Sequence, residues 1–220
     1  MAVTATSTPS RRPRHDPRDT EREILVAAEA LLRERPFREV TVERIMLRTG
    51  LKRPAFYAHF HDRYELVPRV LQSIELRLFE ATNRWLEGEG HERDLSASAA
   101  AAVAVYAEQG PILRALADGA ASDAKLEETY SGLVQTFIDA NAEKIRAEQA
   151  NGHIATDLDA EETARALVLL TERYLGELFG REPQGDPARA AAVLHRIWVS
   201  TLYGGEAPAP APADTGSPGA

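Results

Sequence analysis

From about Thr20 to Leu202 the apolar residues of this chain recur every three or four positions, and a strict two-residue alternation is hard to find. That spacing stacks side chains along one stripe of a helix, whereas a half-buried strand needs alternation. Ala, Leu, Glu and Arg, all strong helix formers, dominate the stretch. The expected fold is therefore all-α, and nine helices fit the punctuation. The first runs from about Thr20 to Arg35, with Ile24, Leu25, Ala28, Leu31 and Leu32 inward and Pro36 closing it. The second starts after the N-cap Thr41 and ends near Gly50; the third covers about Arg53 to His59. The fourth starts at Asp62, where Asp62 and Glu65 form an Asp-x-x-Glu variant of the capping box, and ends near Gly88. Helices over 94–109, 111–118, 123–149, 159–180 and 187–203 complete the set, separated by Pro111, Gly119, Gly152 and the Pro183–Pro187 segment.

Charge divides the chain. Residues 1–66 carry thirteen basic and ten acidic side chains, a net +3, and the remainder a net −11. A mildly basic head thus precedes a strongly acidic body, which phosphates would repel. Within the head, residues 1–18 bring Arg11, Arg12, Arg14 and Arg18 among Pro, Ser and Thr. They read either as a disordered leader or as an arm for phosphates or a minor groove. Residues 206–220, rich in Pro and Ala, read as a disordered tail. A helical head over 19–66 and a body over 67–205 lie between them.

Several classes drop out. The chain has no cysteine, which excludes disulfides and thiolate metal sites and fits a reducing cytoplasm. Its N-terminus lacks the apolar core of a signal peptide, and no run approaches the roughly 18 apolar residues of a membrane span. There is no Gly-rich phosphate loop, no Gly-x-Ser-x-Gly and no His-Glu-x-x-His, and the six histidines are scattered. His59 and His61 stand two apart, which is not metal-site spacing on a helix. Neither catalysis nor a cofactor or metal is expected.

The most informative stretch is Val40–Leu66, VTVERIMLRTGLKRPAFYAHFHDRYEL. A short helix with Val42 and Ile45 inward meets a tight Thr49-Gly50-Leu51 turn, where glycine suits a left-handed backbone. A second short helix follows, with Phe56 and Phe60 facing the core. This is helix-turn-helix spacing, with the second helix available for a major groove. Arg53 at its start can fork onto guanine O6 and N7. Pro54 presets the first turn and can touch a thymine methyl. Tyr57 shares their face, and its hydroxyl can reach phosphate or base unless it packs against the first helix. Lys52, His59 and Arg63 flank this face as phosphate contacts, and Thr41 is a further candidate DNA contact.

The identities in this stretch resemble the tetracycline-repressor (TetR) family of transcriptional regulators. The resemblance rests on Thr41-Val42, Ile45, Gly50, Leu51, Phe56-Tyr57, His59-Phe60 and Glu65-Leu66. The segments TERYLGELFGREP (171–183) and HRIWVSTLYGGE (195–206), with the Arg53-Pro54 run, are similar to the ethionamide-repressor branch of that family. Four positions depart from the family pattern. Lys52 stands where a Ser usually caps, Ala55 where a Thr commonly contacts phosphate, Met46 in place of a small Ala, and Arg63 in place of a Lys.

The resemblance implies a dimeric repressor that binds a double-stranded operator and is controlled by a small apolar ligand. It also implies that helices 159–180 and 187–203 pair with their copies in a four-helix bundle. Both are apolar over more than one face, which a large monomeric core would also explain. Leu178, Leu194, Ile197 and Thr201 are the candidate interface positions. Tyr130, Val134, Phe137 and Asn141 form one stripe at i, i+4, i+7 and i+11. By periodicity alone that stripe is core, whereas the resemblance aligns it, with Trp198, along a ligand tunnel. Tyr106, Thr171, Glu172 and Leu175 are added as lining candidates. Glu172 shares an apolar face with Val168, Leu175 and Phe179, so its carboxylate must pair with a neighbour such as Arg165 or meet a polar ligand group. A ligand-binding dimer that has lost specific operator binding is the alternative suggested by Lys52, Ala55 and the acidic balance.

Overall fold

A computed structural model describes residues 17–88 and 91–204, all helical or connecting, with no strand among them. The expected arm and tail fall almost wholly outside the described residues. Eight α-helices follow in order: α1 (Pro17–Glu34), α2 (Val42–Thr49), α3 (Arg53–Tyr57), α4 (Leu66–Glu87), α5 (His91–Ala120), α6 (Ala124–Ala150), α7 (Ala160–Phe179) and α8 (Pro187–Leu202). Short 3-10 turns at Phe37–Glu39 and Arg63–Glu65 join the head helices.

Local chemistry explains most of the boundaries. Aspartates 123, 159 and 186 each accept backbone N–H bonds at the first turns of α6, α7 and α8, which also complements the helix dipole. Pro187 opens α8, where its missing N–H costs nothing. The fourth helix begins at Leu66 rather than Asp62, because Asp62 caps the 3-10 turn through Tyr64 N and Glu65 N. Glu65 reaches back to His61 N at 2.9 Å, one residue earlier than a capping box requires.

The expected break at Pro111 does not occur, so the count falls by one and α5 runs unbroken over both predicted segments. Proline removes the N–H that would bond the carbonyl four residues back. That carbonyl, of Ala107, instead accepts from the side-chain amide of Gln184 at 3.0 Å. Gly110 beside it lets α5 approach α7, since a Cβ there would stand 2.5 Å from the Phe179 carbonyl oxygen.

Two apolar cores result. One runs from the head into the near half of the body, through Ile24, Leu31, Ile45, Phe56, Val70 and Ile74 to Leu116, Leu126 and Phe179. The other fills the far end around Trp85, Leu95, Ile145, Ile154, Ala164 and Leu202. Val134 and Phe137 pack against both. The space between the cores is the body cavity.

Candidate DNA-reading head and body cavity

The head presents its second helix outward. Gly50 ends α2 with φ +70°, the left-handed turn that redirects the chain into α3. Thr41 caps α2 by accepting from Arg44 N at 3.3 Å, which leaves its hydroxyl hydrogen for another acceptor. Phe56 and Phe60 anchor α3, both buried, with ring centres 5.5 Å apart. Lys52, Arg53, Pro54 and Tyr57 line the other side, all four exposed. Lys52 occupies the N-cap position and makes no side-chain capping bond. The Arg53 guanidinium donates to the Tyr57 hydroxyl at 3.0 Å and lies 5.6 Å from its ring centre, which orders an otherwise mobile side chain. His59 stands beside Phe60, with ring centres 6.4 Å apart.

Arg63 is engaged elsewhere. One of its terminal nitrogens donates to the carbonyls of Phe37, Arg38 and Val40 at 3.0, 3.1 and 3.3 Å. Its guanidinium also stacks over Phe37 and Tyr64. It clamps the first 3-10 turn, so the expectation of a phosphate contact is replaced by an internal role. Ala55 is half-buried and packs on the core.

The segment after α3 is tied directly to the body. The Tyr64 hydroxyl donates to Asp123 at 2.7 Å, and Lys125 pairs with Asp62 at 2.8 Å while lying over the Tyr64 ring. These bonds hold the Asp62 and Asp123 carboxyls below their ordinary range, chiefly through Lys125 and Tyr64 respectively. Asp123 and Lys125 sit at the start of α6.

That same helix lines the cavity farther along. Tyr130, Val134, Phe137 and Asn141 of α6 face it, with Tyr106 of α5, Thr171 and Glu172 of α7, and Trp198 of α8. About 890 Å³ of atom-free space, mouth included, lies between them. Leu175 is not among the lining residues: it is fully buried in the near core. Sequence reasoning missed the wall supplied by α4 and all of the α5 wall but Tyr106, notably Leu78, Thr82, Trp85, Ser98 and Ala99. The signal was present as Leu78, Thr82 and Trp85 at i, i+4 and i+7. Small side chains facing in from α5, Ser98, Ala99 and Ala102, leave the volume unfilled.

Most polar groups on the wall are already engaged. Trp85 donates its indole N–H to Asn141 at 2.9 Å, and Asn141 donates onward to the Phe137 carbonyl at 2.8 Å. Trp198 donates to the Thr171 hydroxyl at 3.0 Å. Phe137 stacks on Phe79, with centres 4.4 Å apart. The expected Glu172–Arg165 pair does not form: Arg165 contacts Glu161 and Glu162 of its own helix and Gln135 of α6. Glu172 instead accepts from the Tyr130 hydroxyl at 2.7 Å.

The outer faces of α7 and α8 carry exposed Leu169, Leu170 and Val193. Of the expected interface positions, Thr201 is exposed, and Leu178 and Ile197 are half-buried. Leu194 is 1% exposed and lines the cavity, so it belongs to the protomer's interior and not to a contact surface. Among the described residues there is no cluster of metal-ligating side chains, and no helix is long and apolar enough to cross a membrane.

An exposed recognition helix on a small head, carried by a helical body with its own cavity, defines a helix-turn-helix DNA-binding transcriptional regulator. Residues 24–70 match the family model described as "Bacterial regulatory proteins, tetR family", and residues 95–204 the one described as "Transcriptional regulator EthR, C-terminal domain". The chain belongs to the TetR family, with a C-terminal domain of the EthR type. It is 29% identical to the HTH-type transcriptional regulator EthR of Mycobacterium tuberculosis over 200 residues, covering 84% of this chain and 88% of that one. EthR of Mycolicibacterium smegmatis is 27% identical over 198 residues, covering 89% and 90%. Among solved structures, Salmonella enterica GusR superposes with a TM-score of 0.71 at 21% identity, over 89% of this chain and 99% of that one. NalD, the secondary repressor of the MexAB-OprM multidrug efflux pump in Pseudomonas aeruginosa, gives 0.68 at 24%, over 86% and 98%.

Proposed function

We propose that this regulator is a homodimeric repressor that holds a palindromic operator and releases it when a small, mostly apolar molecule fills the body cavity. The observation that carries the reading is the double placement of α6. Its middle lines the cavity through Tyr130, Val134 and Phe137, and its first turn is bonded to the segment that follows the recognition helix. A ligand that spreads the walls moves α6, and α6 moves the head. The ligand shifts the balance by no more than its difference in affinity for the two arrangements. A coupling of about 1–3 kcal/mol, or 5–150-fold in operator affinity, is typical.

Residues 19–66 serve as the DNA-binding head and 67–205 as the ligand-binding and dimerisation body. Arg53 reads a base edge, Pro54 and Tyr57 sit beside it, and Thr41, Lys52 and His59 meet phosphates. Leu169, Leu170 and Val193 support a two-fold contact through the outer faces of α7 and α8, where isolated protomers would expose apolar surface. Two heads so joined read half-sites about one helical turn apart, roughly 34–36 Å, or a multiple of it. The operator places the protein in the cytoplasm. No catalytic, cofactor or metal role is assigned.

The test begins with footprinting on DNA flanking the protein's own gene, to find the operator. A thermal-shift screen of apolar compounds then identifies ligands, and operator affinity is titrated with each. Compounds that stabilise the protein are expected to weaken operator binding within that range. Stabilising compounds that never alter operator affinity would reject the switch.

A further inference from the structure

We propose that the ligand is an organic cation, an amine protonated at neutral pH on an aromatic or aliphatic body, whose ammonium sits on Glu172. The inference rests on the reading of the cavity as the regulatory site and adds the charge of what enters it. Among the described lining residues Glu172 is the one carboxylic acid, and neither lysine nor arginine is present. One of its oxygens accepts from the Tyr130 hydroxyl at 2.7 Å, which fixes the carboxylate against the wall. No ion pair to Glu172 occurs among the described residues. Arg165 pairs with Glu161 and Glu162, and Arg173 pairs with Glu177.

A carboxylate left among apolar walls is costly unless a cation meets it. The field it makes is felt by its neighbours. Tyr106 and Tyr130 both hold their protons above the ordinary phenol range, through burial first and with Glu172's charge adding to it. The same field disfavours an anionic ligand. Asn141 and Thr171 are already used by Trp85 and Trp198, which leaves Glu172 as the charged acceptor on the wall beside the neutral Tyr106 hydroxyl. His195 on α8 is the other ionisable group on the wall besides the tyrosines. Tyr106, Tyr130 and Trp198 on the same wall are rings that can offer the same charge a cation–π contact.

The test uses the full chain at neutral pH and three probes of one shape: phenylbutylamine, phenylbutanol and phenylbutyrate. Affinity is read by calorimetry and by thermal shift. Phenylbutylamine is expected to bind about tenfold or more tighter than phenylbutanol, the return on a charge-assisted bond, with phenylbutyrate weakest. Glu172→Gln is expected to bring amine and alcohol within about threefold of each other while the alcohol still binds. Tyr130→Phe keeps the charge and should keep the amine's lead. An amine that binds the unmodified protein no tighter than the alcohol overturns the proposal, whether or not any variant folds, and leaves the cavity reading intact. A lead that survives Glu172→Gln overturns it as well. If none of the three probes binds, the cavity reading falls with it.

Discussion

The continuity of α5 through Pro111 depends on Gln184, and a double-mutant cycle measures that dependence. In the native protein Gln184 donates to the Ala107 carbonyl at 3.0 Å and to the Phe179 carbonyl at 3.2 Å. Gln184→Ala removes both bonds, each worth about 0.5–1.5 kcal/mol net. It also strands the Ala107 oxygen, because Pro111 has no N–H to offer. The site is half-buried, so the cost is taken near the low end, about 2 kcal/mol in total. In a Pro111→Ala background the new N–H at position 111 reaches Ala107 along the helix, and the Gln184 bond there becomes redundant. Gln184→Ala then costs about 1 kcal/mol, which leaves a coupling of about 1 kcal/mol. For a chain of this size the melting temperature should fall about 4–8 °C in the native background and about 2–4 °C in the Pro111→Ala background. Far-UV circular dichroism melts at one fixed protein concentration provide the measurement, since association would otherwise shift the midpoint. Equal losses in both backgrounds would refute the argument that Gln184 stands in for the missing proline donor.

Other outcomes follow from the head, the outer helices and the cavity. Arg53→Ala should weaken operator binding by about 1–3 kcal/mol and relax preference at one position per half-site, measured by anisotropy on a panel of single-base operator variants; unchanged affinity and preference would show that the recognition face lies elsewhere. Leu170→Glu should separate protomers in sedimentation, whereas Leu194→Ala should leave association intact and instead lower the melting temperature, because Leu194 faces the cavity. Tyr106 and Tyr130 should stay protonated in the folded protein past the ordinary phenol value of about 10. Their folded-state values are raised, so the stability they confer is complete below that pH and is lost as pH climbs above it. Spectrophotometric titration of Tyr106→Phe and Tyr130→Phe checks this: a phenolate signal near pH 10 that either variant removes from the folded protein would contradict it.

The all-helical fold, the helix-turn-helix head and the α6 stripe were legible in the sequence, because each depends on residues close together in the chain. Helical periodicity, the Thr41 cap and the Gly50 turn are local signals, and the structure places these elements with ends shifted by a few residues. The choice between core and cavity for Tyr130, Val134, Phe137 and Asn141 was not local. An amphipathic stripe looks the same whether the facing helix fills the space or leaves it empty, and the small residues of α5 that leave it empty lie some thirty or more positions away. The tertiary structure alone decided the fate of Pro111, since its compensating donor is 73 positions distant at Gln184. It likewise turned Arg63 from an exposed cation into a clamp on three carbonyls. Glu172 was recognisably misplaced on an apolar face, but its partner could not be read from its own helix. The cation expected to meet it, Arg165, lies about two turns away and pairs with Glu161 and Glu162 instead, and the hydroxyl that holds the carboxylate arrives from α6 only when the two helices pack.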